Sequence, residues 1–119
     1  SQGLMFRNSS PSNGGMLFIF KNAQPLTFWN MNTHIPLDVA FISEDGVINF
    51  ISKIKPHEPN VGIQSVSSEK PSLFVIEAND GYFNKCGVQE GDKIIIERED
   101  PFCKVEFQKI KEITEKEEK

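Results

Sequence analysis

The stretch LDVAFISEDGVINFI, residues 37–51, decides the fold. Two apolar runs, residues 37–43 and 47–51, flank the turn sequence Glu44-Asp45-Gly46. An Asp-Gly pair between apolar runs of strand length is typical of a β-hairpin, because glycine readily adopts the positive φ that such a turn needs. The stretch therefore predicts two antiparallel strands joined by a tight turn.

Turn residues divide the rest of the chain into short apolar segments. Residues 55–71 contain three prolines and several serines, which predicts a long loop with one strand near residues 62–66. Residues 80–86 predict one helical turn that ends at Gly87. The other predicted strands are residues 16–21, 26–29, 72–78, 93–98 and 103–108. Seven or eight short strands with one or two short helices predict an all-β fold, an antiparallel β-barrel or sandwich.

Length and composition restrict the class of protein. The 119 residues, of which 38% are hydrophobic and ten are phenylalanine, suit a single domain over residues 1–119. The net charge is −4 and no basic stripe alternates with aromatic residues, so we expect no nucleic-acid partner. The longest apolar run, residues 16–20, is too short to span a bilayer, so we expect no membrane span.

The cysteines and the start of the chain say little about the compartment. Cys86 and Cys103 have the wrong spacing for a CxxC metal pair. Two separate buried thiols are favoured over a disulfide, which an exported protein would permit. The chain starts at Ser1 without an initiator methionine or a signal peptide, as an excised or processed piece would. The compartment is therefore left open, an extracytoplasmic one included.

The C-terminal sequence carries a signal for the start of a helix. Thr114 and Glu117 have the T-x-x-E spacing of a capping box. Joined end to end, the last and first residues read ITEKEEKSQGLMFR, which is a cap, about two helical turns and Gly3 as a stop. The alternative is a solvated charged tail, which composition favours.

Six segments of the chain together form a specific signature. They are GLMFR (3–7), GGMLFIF (14–20), FWNMNTHIPLDVAFI (28–42), DG (45–46), FVIEANDG (74–81) and GVQEGDKI (87–94). Their centre is the pattern N-T-x-x-P-L-D that ends at Asp38, with Trp29 before it. In sequence and in order they resemble the DUF192 family of small prokaryotic domains, whose function is not established. The resemblance covers most of residues 3–97 and implies one small β domain.

The chain departs from the usual pattern of that family in two places. The family usually reads W-M-K-N-T, whereas this chain reads WNMNT at residues 29–33, so no role for the missing lysine carries over. The family's opening strand and short acidic helix normally precede its GLM segment. Here the similar sequence CKVEFQKIKEITEKEEK lies at residues 103–119. The resemblance therefore implies a circular permutation, natural, designed or from a tandem array, that brings Ser1 and Lys119 close together.

The stretch FWNMNTHIPLD, residues 28–38, crowds polar side chains between two apolar segments. Asp38 shares the period-two strand face of Ala40 and Ile42, which predicts a buried carboxylate that needs a cation or several donors. The candidate partners are Arg7, Asn30 and Asn32. Two interpretations stay open: Asp38 is a polar staple that ties a loop to the barrel, or it belongs to a binding site.

Other residues complete the candidate site. Trp29 is the single tryptophan and a candidate stacking platform. Glu77 shares the strand face of Val75 and Leu73, so it points inward if they do. His34 and His57 are expected to be solvent-exposed, because neither has the spacing of a metal motif. The candidate ligand-binding residues are Arg7, Trp29, Asn30, Asn32, Thr33, Asp38 and Glu77.

These observations favour a non-enzymatic binding or accessory module with a polar site around WNMNTHIPLD, for a small polar ligand, a peptide or a glycan. One alternative is a small, carbohydrate-directed hydrolase that uses Asp38 and Glu77, with His34 nearby. Such an enzyme needs both carboxylates in one open cleft, about 5–9.5 Å apart. The other alternative is a protein-interaction domain with an exposed apolar patch or sheet edge. We expect no cofactor and no metal, and the oligomeric state is not predicted.

Overall fold

A computed structural model of the chain describes residues 2–7, 14–31 and 33–109. Its elements are β1 (Gln2–Arg7), β2 (Gly15–Trp29), β3 (Leu37–Ile42), β4 (Ile48–Ile54), β5 (Ser65–Asn79), α1 (Tyr82–Lys85), β6 (Lys93–Glu99) and β7 (Phe102–Gln108). The strands form one sheet in the order β4-β3-β5-β2-β1-β7-β6, which curls into a half-barrel. The predicted all-β fold with very little helix is confirmed.

The sheet is mixed rather than wholly antiparallel. Five strand pairings among the described residues are antiparallel. The exception is β1 with β7, which run parallel with Phe6 opposite Cys103. The predicted helix end at Gly3 is wrong, because residues 2–7 form β1. Leu4 and Phe6 are two residues apart on β1 and both contact the core, which is the side-chain spacing of a strand and not of a helix.

The predicted hairpin is confirmed and also helps to close the sheet. Gly46 has a φ of 84°, and the Ser43 N–H donates to the Val47 carbonyl at 2.9 Å. Beyond the turn, β3 and β4 pair along their length. The Ile94 N–H donates to the Gly46 carbonyl at 2.8 Å, and Val47 forms a bridge with Lys93. The turn therefore joins the β4 edge of the sheet to β6 at one end.

Two strands are far longer than predicted. β2 continues through Pro25 and β5 continues through Pro71, where short strands and a long loop are expected. The register of this pair shifts between Ile19 and Gln24 and again between Gln24 and Leu26. Pro25 and Pro71 both fall inside these shifts, where the ladder is interrupted and a missing N–H costs little. The prolines thus bend the strand pair without ending it.

The bend produces a second hydrophobic core. Ala40 and Ile42 of β3 face one cluster, shared with α1, β1, β6 and β7, whereas Val39 and Phe41 face another. The second cluster holds side chains from both halves of β2, and the rings of Phe28 and Phe41 lie 5.9 Å apart. Residues 26–29 of β2 and 65–68 of β5, named here the folded ribbon, therefore cover the far face of β3 and β4. β3 is buried on both faces, which explains why residues 39–42 are all apolar.

The cysteines and the chain ends complete the comparison with the sequence. Cys86 and Cys103 do not form a disulfide with each other, and Cys103 is buried as predicted, whereas Cys86 is only partly buried. Cys103 lies in the first core, and Cys86 follows α1. The capping box at Thr114 and Glu117 lies outside the described residues, as do Ser1 and Lys119. The implied circular permutation therefore stays a prediction.

Candidate functional site

Asp38 is a buried carboxylate, and each of its two oxygens accepts a hydrogen bond. The residue is 3% exposed, and its Oδ1 accepts a hydrogen bond from Lys53 Nζ at 2.8 Å. Its Oδ2 accepts from the N–H of Phe83 at 3.3 Å, so the carboxylate ties β3 to α1. Lys53 also donates to Asp80 Oδ1 at 2.7 Å. The hydrogen bonds to Asp38, and then to Asp80, raise the pKa of the Lys53 ammonium above its ordinary value.

The predicted burial of Asp38 is confirmed, but two of its predicted partners, Arg7 and Asn30, are wrong. Arg7 is exposed and lies over the ring of Phe102, with its guanidinium carbon 4.4 Å from the ring centre. Asn30 bonds elsewhere, and Asn32 lies outside the described residues. The sequence does contain a signal that identifies Lys53 as the partner of Asp38. Counting outwards from a two-residue Asp45-Gly46 turn places Lys53 opposite Asp38. The structure has that pairing because the register shift between Phe41 and Ile42 offsets the longer turn between Ser43 and Val47.

Asp38 and Glu77 do not form a pair. Asp38 lies opposite Ala78, whereas Glu77 lies opposite Val39. Since neighbouring residues of a strand point to opposite faces, the two carboxylates point to opposite sides of the sheet. Burial raises the pKa of the half-buried Glu77 carboxyl above its ordinary value. The predicted meeting of these two acids at one site is therefore wrong.

Asn30 is a structural residue at the end of β2. It is 2% exposed, its Nδ2 donates to the Lys55 carbonyl at 3.2 Å, and its Oδ1 accepts from the Gln64 N–H at 2.8 Å. Its backbone N–H also donates to the Gln64 carbonyl at 2.9 Å. These bonds hold the end of the folded ribbon against the end of β4. The amide that sequence reasoning placed in a polar ligand site is thus already used within the fold.

The rest of the predicted corner is exposed and largely apolar. The Thr33 carbonyl accepts from the His57 N–H at 2.9 Å, which joins residues 33–35 to the loop after β4. His34 and His57 are both exposed, as predicted. Five apolar side chains here are between 46% and 58% exposed: Trp29, Met31, Ile35, Val61 and Ile63. This group is named here the apolar tip.

A seam runs along the open side of the second core, between residues 49–55 and residues 64–70. At one end Asn49 Nδ2 donates to the Pro71 carbonyl at 3.1 Å, and at the other Asn30 bonds to Lys55. Two pockets open along it. The first, about 320 Å³, is lined by Asn49, Phe50 and residues 67–70. The second, about 390 Å³, is lined by Asn30, residues 53–55 and residues 64–66.

Phe50 forms the aromatic wall of the first pocket. Its ring stacks on Phe41 with 6.1 Å between the ring centres, so the second core supports it from behind. The ring is nevertheless 36% exposed, because the folded ribbon does not cover it completely. The first pocket therefore offers a rigid apolar surface beside the hydroxyl of Ser67 and the amide of Asn49.

Comparison with known proteins agrees with this fold. The family model DUF192, described as "Uncharacterized ACR", matches residues 1–96. The chain belongs to the DUF192 family. The match includes Asp38, Lys53, the folded ribbon and the seam, and it ends before β7. No curated protein sequence matches this DUF192 chain.

Two crystal structures resemble the DUF192 chain described here. One is a protein of Sinorhizobium meliloti, described as a proposed transcription regulator, with 38% identity and a TM-score of 0.62 over 77% of this chain and 69% of that one. The other is a protein of unknown function from Novosphingobium aromaticivorans, with 34% identity and a TM-score of 0.61. That match covers 76% of this chain but 63% of the Novosphingobium chain, less than two thirds of its length.

Two further features of the DUF192 chain bear on its chemistry. Among residues 2–7, 14–31 and 33–109, no three His, Cys, Asp or Glu side chains are grouped so that they could hold a metal ion. Within the same described part of the chain, no helix is both long enough and apolar enough to cross a bilayer.

Proposed function

We propose that this DUF192 chain is a non-enzymatic binding module, and that its ligand is a polypeptide segment of a partner, held in the seam. The observation that carries the proposal is the pair of pockets, about 320 and 390 Å³, that follow one another along two strands. A linear ligand fills two adjacent pockets more fully than a compact one. The exposed ring of Phe50 supplies the apolar contact on which such binding usually depends.

The geometry supports binding rather than hydrolysis. The two carboxylates that a glycosidase would need point to opposite faces of the sheet. Each Asp38 oxygen already accepts one hydrogen bond, from Lys53 Nζ or from the Phe83 N–H, and the residue is 3% exposed, which favours a structural role over catalysis. A general acid and a general base must both reach the same substrate, and carboxylates on opposite faces of the sheet cannot do so.

The apolar tip supports a polypeptide ligand over a small polar ligand or a glycan. A sugar site needs several polar groups that point at the ligand. The Asn30 side chain instead forms hydrogen bonds with the backbone of Lys55 and Gln64. Trp29 and its neighbours extend the seam with exposed apolar surface, which is typical of protein-interaction sites. This proposal therefore replaces the predicted polar site with the apolar tip, which lies at the same corner of the chain.

The description of the Sinorhizobium neighbour does not alter the proposal. A regulator of transcription acts through DNA or through a protein partner. This chain has a net charge of −4, which disfavours the phosphate contacts on which DNA affinity depends. A protein partner is compatible with the seam. Double-stranded DNA belongs in the binding assays as a comparison ligand.

A peptide-array screen, followed by titration of the best peptide, tests the proposal. Trp29 is the single tryptophan and lies opposite Ser65, which lines the second pocket, so we expect its fluorescence to change when that pocket is filled. We expect Phe50→Ala to weaken binding by at least about tenfold, because it removes the wall of the first pocket. Ile95→Ala is the matched control, since Ile95 is an exposed apolar residue on β6, at the other edge of the sheet.

Three results would contradict the proposal. The first is equal binding by the Phe50→Ala and Ile95→Ala variants, with circular dichroism showing both to be folded. The second is turnover of a glycoside or ester substrate that Asp38→Asn abolishes. The third is tighter binding of DNA than of any peptide.

A further inference from the structure

Backbone geometry shows which strand edge faces the seam. The Asn30 N–H donates to the Gln64 carbonyl, so Gln64 turns its backbone groups towards β2. Backbone groups of successive strand residues point to alternate sides, so Val66 also faces β2, whereas Ser65 and Ser67 face away from it. The hydroxyls of Thr27 and Ser67 lie 2.9 Å apart, the close side-chain approach expected of a non-hydrogen-bonded antiparallel pair.

The edge at Ser65 and Ser67 has no strand partner among the described residues. β5 pairs with β2 on its other side, and its pairing with β3 is confined to residues 74–79. The folded ribbon therefore presents two N–H and two C=O groups along the seam. An unpaired row of this kind is a template for one further strand.

On the opposite wall of the seam, two backbone groups already have side-chain partners. On the outer edge of β4, the Ile51 N–H donates to Glu90 Oε2 at 2.9 Å. Further along, the Lys55 carbonyl accepts from Asn30 Nδ2 at 3.2 Å. These side chains block strand addition to β4 in the way that natural edge strands are commonly protected. Among the described residues, the edge at Ser65 and Ser67 is therefore the better of the two templates that border the seam.

We infer that the partner segment binds as an added β-strand along Ser65 and Ser67, with an apolar side chain against Phe50 and carboxylates beside the seam lysines. This inference rests on the proposed function and specifies its ligand. An extended chain is required because its N–H and C=O groups alternate at the spacing of the strand edge. The seam spans residues 49–55, so it accommodates about six residues of extended chain, roughly 20 Å.

Charge supports an acidic partner rather than a second copy of this chain. The side chains that line the two pockets include Lys53, Lys55 and Lys70 but one acidic residue, Glu69. Lys53 is already paired with Asp38 and Asp80, and Glu90 bonds to Ile51 near the middle of the opposite wall. The charge argument therefore rests on Lys55 and Lys70, which lie towards opposite ends of the seam, where the flanks of a bound segment would lie. Pairing two copies through this edge would bring these lysines together, whereas a segment with acidic flanks meets them favourably.

A proline substitution provides a sharp test. Ser67→Pro removes the N–H that points into the seam, and proline is tolerated at such an edge position because no ladder bond is lost. Ser67→Ala is the matched control, since it keeps the N–H and removes the same hydroxyl. The probe is a synthetic peptide of alternating valine and threonine flanked by aspartates, titrated by Trp29 fluorescence. We expect Ser67→Pro to weaken binding at least about tenfold relative to Ser67→Ala.

The peptide flanks test the charge argument separately. Replacing the flanking aspartates with lysines should weaken binding to the wild-type chain by at least about tenfold. Raising the ionic strength from about 0.05 M to about 0.5 M should weaken the aspartate-flanked peptide several-fold, because it shortens the range of the attraction. Equal affinity for the two peptides would overturn the acidic partner.

The variants also separate this inference from the proposed function. If Ser67→Pro binds as tightly as Ser67→Ala while Phe50→Ala does not bind, the seam binds a ligand but not as an added strand. If the wild-type chain binds no peptide at about 1 mM, both the inference and the proposed function fail. If the wild-type chain is a dimer that Ser67→Pro dissociates, the occupant is a second copy, and the inference of an acidic partner is overturned.

Discussion

Replacing Asp38 with asparagine should destabilise the fold by about 1–2 kcal/mol. The carboxylate accepts one bond from Lys53 and one from the Phe83 N–H. The Lys53 side chain is 61% exposed, so water screens that ion pair and it contributes at most about 1 kcal/mol. The bond to the Phe83 N–H is buried and contributes about 1 kcal/mol. Asparagine keeps one acceptor oxygen but turns an N–H₂ group towards the other donor.

A thermal melt measures the loss, and Asp80→Asn is its control. For a chain of this size, 1–2 kcal/mol corresponds to a fall in Tm of about 3–8 °C. Asp80 shares the same lysine, but its side chain is 49% exposed, so its loss should cost under about 0.5 kcal/mol. The reasoning is refuted if Asp38→Asn has the same Tm as the wild type, or if Asp80→Asn lowers the Tm by as much as Asp38→Asn does. It is also refuted if Asp38→Asn keeps its Tm but loses peptide binding, since Asp38 would then be a ligand-binding residue.

Two further substitutions test other parts of the structure. Burial raises the pKa of Glu77, so the folded state disfavours its charge at neutral pH, and the penalty disappears below the ordinary value of 4.5. Glu77→Gln should therefore raise the Tm at pH 7 and leave it unchanged below about pH 4, whereas a pH-independent difference would be inconsistent with this cause. Asn30→Ala should cost about 1–2 kcal/mol, because it removes the hydrogen bonds to the Lys55 carbonyl and the Gln64 N–H, both of which are part-buried. A denaturant titration that shows a loss under about 0.5 kcal/mol would contradict that role.

The sequence predicts the parts of the fold that local signals determine. The Asp45-Gly46 turn predicts the hairpin, and counting from it would also have predicted the pairing of Asp38 with Lys53. The prolines mislead, since Pro25 and Pro71 usually end strands. Here each lies at a register shift of a longer strand pair, a fact of tertiary pairing that neither segment contains by itself.

The error over Asp38 and Glu77 has a specific cause. The period-two pattern groups Asp38 with Ala40, and Glu77 with Val75, and the structure has both groups as predicted. Each group faces a core, but the cores lie on opposite sides of the sheet. A pattern of buried and exposed residues distinguishes inside from outside, but it does not distinguish one core from another.

The seam itself could not be predicted from the sequence. It exists because the folded ribbon bends at its register shifts and lies over the far face of β3 and β4. Ser65 and Ser67 are unremarkable in sequence, and their role depends on which way their backbone groups point. Phe50 reads as an ordinary core residue of the hairpin, although its ring is partly open to the seam.

Amide hydrogen exchange at Ser67, with and without the aspartate-flanked peptide, tests strand addition most directly. The N–H of Ser67 points into the seam, whereas that of Val66 bonds to β2, so Ser67 should exchange fast and Val66 slowly in the free chain. With peptide bound, Ser67 should become protected while Val66 stays as it was. An amide at Ser67 that is already protected in the free chain, or that stays unprotected in the complex, would contradict the added strand.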